Sequence, residues 1–231
     1  MTPSAGEPRY PWKEIPGSSH VLLLERAASR GDRISLLDLG FGSGELVRRI
    51  RPRCRYLCGI EADAEAARGA DGVLDDVYVG DLSEGLLRPW AFPFDVIVAG
   101  DILEHVPRPE ALMAPIRSLL APGGRLLLSL PNIANVTTRL ALLAGRFDYS
   151  DRGILDRTHL RFFTRTSARG LLVSAGFRIV GEWATPMPVE LAVPALARPP
   201  LLGPVRAGSA FLARLAPCLF GYQFVFETEA A

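Results

Sequence analysis

Lysine is almost absent. Lys13 is the only one in 231 residues, and every other basic residue is an arginine. A P-loop needs a lysine on the phosphates and a Schiff-base enzyme needs one as nucleophile. Lys13 stands in a Pro- and Gly-punctuated N-terminal stretch, which argues against both classes. Cysteine is scarce too: Cys54, Cys58 and Cys218 are too few and wrongly spaced for a disulfide framework or a zinc finger. That predicts a reducing compartment. No excess of charge of one sign exists either, with 26 basic against 25 acidic residues. General attraction to nucleic acid or to an anionic membrane is therefore not expected. No apolar run approaches the ~18 residues of a membrane span. The first residues, with Glu7 among prolines and glycines, do not read as a secretory signal. The expectation is a cytoplasmic protein. What is present is 48% hydrophobic and 22% charged residues, enough apolar side chain for one domain spanning 1–231.

Residues 1–30 read as a leader carrying Tyr10 and Trp12, followed by a helix capped at Ser18 or Ser19. From 31 to 131 short apolar runs alternate with helical patterns. ISLLDLG, YLCGIE, VYVGD, FDVIVAG and RLLLSLP read as strands, the last entered through a Pro122-Gly123-Gly124 turn. Between them SGELVRRIR, DAEAARGA (capped by Asp63) and a stretch from Pro109 to Leu120 read as helices. Such alternation predicts a parallel sheet covered on both faces. Residues 132–165 change style, with a helix near 136–144 and then a polar stretch rich in Asp and Arg. A helix starting at Thr164 or Thr166 comes next, with the strands FRIVGEW and YQFVFET after it. Residues 185–217 read as a proline-rich insertion whose helix, about 205–216, serves as a lid or a homodimer contact.

The first strand-to-helix turn reads Asp38-Leu39-Gly40-Phe41-Gly42-Ser43-Gly44-Glu45. Glycines there let the backbone approach a ligand and turn sharply into a helix. The dinucleotide pattern G-x-G-x-x-G fails, because Glu45 occupies its last position. Carboxylates beside the loop suit a cationic or zwitterionic cofactor better than a pyrophosphate. Glu61, at the end of the second strand, is placed to accept both hydroxyls of a ribose. Asp81, at the end of the third, can accept an adenine amino group.

In these segments the chain resembles the class I S-adenosylmethionine-dependent methyltransferases. LLDLGFGSGEL is similar to their glycine loop, GIEAD to their ribose strand end and VGDL to their adenine site. FDVIVAGDILEHV and LLAPGGRLLLSLPN resemble their fourth and fifth strands. The resemblance covers about residues 20–185. It implies an α/β, Rossmann-like fold with a seven-stranded, mostly parallel sheet and an antiparallel last strand. It also implies S-adenosylmethionine as cofactor, with Asp38, Gly40, Gly42 and Gly44 around its methionine part, Glu61 on the ribose, and Asp81 with Leu82 on the adenine.

Acceptor candidates lie beyond the C-terminal ends of strands four and five, the crevice where open α/β sheets bind ligands. Asp101, Glu104 and His105 share one face if 101–105 is a helical turn. Two of the three histidines, His105 and His159, fall on this side, and an imidazole suits deprotonation of a hydroxyl near neutral pH. Asp101, His105 and His159 are the catalytic candidates. Asn132, Arg157 and Arg161 are the substrate-binding ones, the arginines favouring an anionic group. LEHV is also similar to ubiquinone-pathway O-methyltransferases, where it often just closes the pocket. D-x-x-E-H with a distant His resembles the metal-binding set of small-RNA 2′-O-methyltransferases. A divalent metal is therefore a possible second cofactor, the less favoured of the two readings. Residues 131–165 resemble methyltransferases of bacterial polysaccharide and secondary-metabolite clusters. The expected activity is O-methylation of a sugar, glycoside or other small metabolite. The alternatives are a metal-dependent RNA 2′-O-methyltransferase and a cofactor-binding module without catalysis. The arginines at 48, 49, 51, 53 and 55 read as a solvated helix end.

Overall fold

The structure, a computed structural model, describes residues 12, 14–85, 90, 92–188 and 200–231. Tyr10 and most of the leader, with 189–199 of the insertion, lie outside the described residues. Helix α1 (Ser19–Ala28) precedes β1 (Ile34–Leu39), α2 (Glu45–Ile50), β2 (Cys54–Glu61), α3 (Ala64–Arg68), β3 (Asp76–Val79) and β4 (Phe94–Gly100). Then come α4 (Pro109–Ser118), β5 (Leu120–Pro131), α5 (Val136–Leu143), α6 (Arg165–Ser174) and β6 (Phe177–Ala184). The described chain closes with α7 (Leu202–Leu215), α8 (Pro217–Phe220) and β7 (Gln223–Ala230).

The seven strands form one sheet in the order β3-β2-β1-β4-β5-β7-β6. Pairings from β3 through β5 are parallel, and β7 runs antiparallel to both its neighbours. The expected topology is the one found. Each central strand divides its side chains between two apolar layers, as a period of two requires. Leu37, Leu39, Ile97, Ala99, Leu126 and Leu128 enter one layer with Leu112, Ile116 and Leu172 of α4 and α6. Leu36, Val96, Val98 and Leu127 enter the other with Leu23, Val47 and Ile50 of α1 and α2. Burial on both faces is why these strands read as unbroken apolar runs.

Local chemistry sets several boundaries. Ser18 caps α1, and Asp63 caps α3 by accepting the amides of Glu65 and Ala66. Thr164 and Ser167 cap α6 reciprocally, each hydroxyl accepting the other's amide. Helix α4 ends at Ser118, two residues short of the expected Leu120, because Leu120 already pairs with Phe94 in the sheet. The next paired position on β5 is Arg125 against Val96. The expected Pro-Gly-Gly turn is thus a bulge inside β5. Cys58 is buried as core, and the arginines in the last turn of α2 and beyond it meet carboxylates: Arg49 with Glu14, Arg51 with Asp75, Arg53 with Asp32 and Arg55 with Asp95. That is the solvated helix end the sequence predicts. Trp12 stacks on His20 and lies under the Arg49 guanidinium. Helix α7 buries Ala213 and exposes Phe211 and Leu215.

Candidate active site

Strand order reverses between β1 and β4, and the loops leaving their C-terminal ends therefore diverge and open a crevice. The glycine loop forms one wall. Gly40, Gly42 and Gly44 all have positive φ (73°, 53° and 77°), which accounts for three glycines in five residues. A Cβ on Gly40 would lie 2.0 Å from Cδ1 of Ile102, whereas one on Gly42 would meet nothing within 4 Å. The loop is therefore packed against the β4 extension on one side and open on the other. Phe41, where the resembled family often has a smaller residue, is buried on Gly59 of β2, whose missing side chain makes room for the ring.

Glu61 reaches back to this loop. Its Oε2 accepts the Gly42 amide at 2.7 Å and its Oε1 the Asp63 amide at 3.0 Å. Asp38, on β1, is 4% exposed. Burial, with Glu61 adding repulsion, pushes its carboxyl up from 3.8 to about 7. Asp81 Oδ1 accepts the Ser83 amide at 2.7 Å, and Leu82 is packed in the core beneath. These residues fit a zwitterionic nucleoside cofactor. An open glycine cradle, a buried carboxyl suited to a positive charge and a half-exposed carboxylate stand at the C-terminal ends of β1 and β2.

The β4 end differs from its expected form. Residues 103–105 make a 3-10 turn, and Asp101 takes a left-handed φ of 54°. Its Oδ1 accepts Ser129 Oγ at 2.5 Å and Gln223 Nε2 at 2.8 Å. Asp101 therefore does not share a face with Glu104 and His105. The groups that converge are Glu104, His105 and His159, each offering one ligand atom within 4.8 Å of the others. The two rings meet edge to face with centroids 4.9 Å apart. His105 Nδ1 lies 3.1 Å from the Thr158 carbonyl and His159 Nδ1 lies 3.0 Å from that of Ile154. A carbonyl only accepts, so each Nδ1 is the donor, and in the neutral ring Nε2 carries the lone pair. Glu104 is 1% exposed, and neither carboxylate oxygen has a hydrogen-bond partner among the described residues. Burial, then the Asp101 and Asp156 carboxylates, hold its carboxyl well above the usual range. Burial likewise lowers His159, against the opposing effect of its Ile154 bond.

Of the expected substrate residues, Asn132 is corrected. It is fully buried; its Nδ2 donates to the Cys218 and Gly221 carbonyls and its Oδ1 accepts the Ala134 amide. Its amide is used in tying the end of β5 to α8. Arg161 donates through Nε and Nη2 to the Pro107 carbonyl, at 2.8 and 2.5 Å, and Arg157 pairs with exposed Asp151 at 2.8 Å. Arg161 thus clasps the acceptor-side segment to the turn after β4, helped by the Leu160 and Arg161 amides on the Glu104 carbonyl. Sequence reasoning missed Gln223, which no motif marks. It also missed the turn made by Asp156 accepting the Thr158 amide and hydroxyl, which the Asp-x-Thr spacing signals.

A methyltransferase domain family model matches residues 19–182. The chain belongs to that family. A ubiquinone biosynthesis O-methyltransferase of Xylella fastidiosa (strain M23) is 29% identical over 149 residues, 61% of this chain and 60% of that protein. The chain thus matches less than two thirds of this relative's length. A SAM-dependent methyltransferase from Archaeoglobus fulgidus superposes with a TM-score of 0.62 at 18% identity, covering 92% of this chain and 94% of that one. The N-methyltransferase NodS from Bradyrhizobium japonicum WM9, in complex with S-adenosyl-L-homocysteine, superposes with a TM-score of 0.59 at 15% identity, covering 94% and 90%. At these identities the solved neighbours establish the class I methyltransferase fold; NodS is named an N-methyltransferase and the Xylella fastidiosa relative an O-methyltransferase. No helix among the described residues of this domain is long and apolar enough to cross a membrane.

Proposed function

We propose that the protein transfers the methyl group of S-adenosylmethionine to a hydroxyl of a sugar, glycoside or other small metabolite. One observation carries the acceptor side. Two imidazoles with Nδ1 committed to carbonyls keep their Nε2 lone pairs at the β4 end, and Ile102, three residues before His105, packs on the glycine loop. A lone pair there can receive the hydroxyl proton as the oxygen attacks. The cofactor supplies an activated methyl group. The chain holds it by the glycine loop, with Asp38 facing the ammonium end, Glu61 the ribose, and Asp81 beside Leu82 the adenine. The O-methyltransferase relative supports oxygen as the acceptor atom. Arg157, exposed and paired with exposed Asp151, is a cation available to an anionic acceptor group.

The test is calorimetry with S-adenosylmethionine and S-adenosylhomocysteine, followed by a transfer assay over hydroxyl, amine and RNA acceptors. Micromolar cofactor binding with turnover on small hydroxyl compounds is expected. Absence of cofactor binding overturns the reading, and binding without any turnover favours a cofactor-binding module.

Asp38 gives this reading a pH dependence. Its carboxyl is protonated below about 7 in the free protein, and a cationic group binds the ionised form. Binding must therefore release a proton below that pH, and affinity falls as pH drops, by up to ~10-fold per unit. The sign follows from a raised acid: the free fold loses stability as pH rises from 3.8 to about 7, and the cation restores it. Titration with S-adenosylhomocysteine, which keeps the ammonium, at pH 5.5, 6.5 and 7.5 checks this (pH values chosen to bracket about 7). Asp38→Asn should flatten the profile.

A further inference from the structure

We propose that Arg48, on the reading of the glycine loop as the cofactor cradle, is a positioning residue for cofactor binding. It clamps the loop in its binding shape and acts on the ligand only through that loop.

Arg48 differs from the other arginines of its run. Arg51, Arg53 and Arg55 meet the carboxylates of Asp75, Asp32 and Asp95, and Arg49 meets those of Glu14 and Glu45. Arg48 instead gives its guanidinium to two backbone carbonyls. Nη1 donates to Ser43 O at 2.6 Å, and Nη2 donates to Gly69 O. Ser43 stands in the loop between Gly42 and Gly44, and Gly69 caps the C-terminal end of α3. The Glu45 carboxylate is farther from Nη1, at 3.5 Å. A planar guanidinium, with donors in a fixed fork, can bridge two such carbonyls at once. Gly44 leaves it room, because a Cβ there would crowd Nη1 at 3.3 Å.

With Glu61, these bonds close a circuit around the cradle. Glu61 accepts the Gly42 amide at 2.7 Å and the Asp63 amide at 3.0 Å, and Asp63 caps the start of α3. Helix α3 leads to Gly69, and Arg48 returns from Gly69 to Ser43. Consecutive residues 42 and 43 are thus held by two different side chains, one through its N–H and the other through its C=O. Three glycines at positive φ within five residues would have wide backbone freedom if left unheld. A loop that must be ordered at the moment of binding subtracts that ordering from affinity. Bonds already made in the free protein remove the subtraction. The Arg48 side chain is 37% exposed, so the effect is moderate.

Two measurements test the clamp in wild type, Arg48→Ala, Arg48→Lys and Arg53→Ala. One is calorimetry with S-adenosylhomocysteine, and the other is amide hydrogen exchange over residues 40–44 without ligand. Arg48→Ala should weaken binding by ~5–20-fold and speed exchange in the loop by at least about 5-fold. Arg48→Lys keeps the charge but not the fork, and its affinity should fall between. Arg53→Ala removes a cation whose partner, Asp32, lies outside the loop, and should bind as wild type does. An equal loss in Arg53→Ala would make surface charge the cause and overturn the clamp. Arg48→Ala affinity within about two-fold of wild type, or unchanged exchange, would overturn it too, even with a lowered thermal midpoint. If wild type itself binds no S-adenosylhomocysteine, the cofactor reading fails, and the ligand-free exchange still decides the clamp.

Discussion

Alanine at His105 or at His159 should lower turnover by ~10²–10⁴-fold while S-adenosylhomocysteine affinity stays within a few-fold. The two rings touch, and each is fixed by a carbonyl from the segment folded over the β4 end. Removing either ring deletes one of the Nε2 lone pairs there. The Glu61 bonds run to the Gly42 and Asp63 amides and involve neither ring, which is why cofactor affinity should hold. Steady-state kinetics beside calorimetry separates the two effects. Chelation adds a second comparison: if the pair acts through a bound ion, stripped wild type falls to the level of the variants, and Mn²⁺ or Zn²⁺ restores it. Near-normal turnover in both alanine variants would leave catalysis to alignment alone, as suits an amine or an already acidic acceptor.

The second large effect lies in the cofactor cradle. Glu61→Ala should weaken S-adenosylhomocysteine by roughly 1.5–3 kcal/mol, the range for hydrogen bonds to a charged group. Tenfold corresponds to about 1.4 kcal/mol, so the loss is between ten- and a few-hundred-fold. Part comes from the loop itself, because Glu61 accepts the Gly42 amide in the free protein. Gly42→Val should remove binding more completely. A Cβ there meets no atom of the described residues within 4 Å, so a side chain points into open space. It therefore fills volume the ligand needs, and the left-handed φ of 53° adds strain of about 1–2 kcal/mol. Calorimetry reads the affinity and a denaturant melt reads the strain. Wild-type affinity in Glu61→Ala would place the ribose elsewhere.

The parallel sheet was legible in the chain because doubly buried strands must be apolar along their whole length. ISLLDL, FDVIVAG and RLLLSLP could hardly be read otherwise. The glycine loop was legible for a related reason: positive φ at 40, 42 and 44 is a backbone demand that few residues but glycine meet. Asp63 and Thr164 announced their helices because caps act within three residues. Such properties are local, and a local physical requirement leaves its mark in the sequence.

Tertiary structure decided what depends on distant groups. Asn132 lies just past a strand end, as an acceptor-binding residue does, yet its amide is consumed by the carbonyls of 218 and 221, more than eighty residues away. Asp101 had the spacing to join Glu104 and His105. Ser129 and Gln223 draw it elsewhere, and the next turn is 3-10, so the helical face on which that spacing relied does not form. In its place His159, 54 positions beyond His105, arrives edge-on, set by the Ile154 carbonyl and by Arg161 clasping Pro107. Sequence named the chemical groups, because chemistry belongs to side chains. Only the fold decided which of them remain free to act, because hydrogen-bond capacity is finite and long-range packing determines where it is spent.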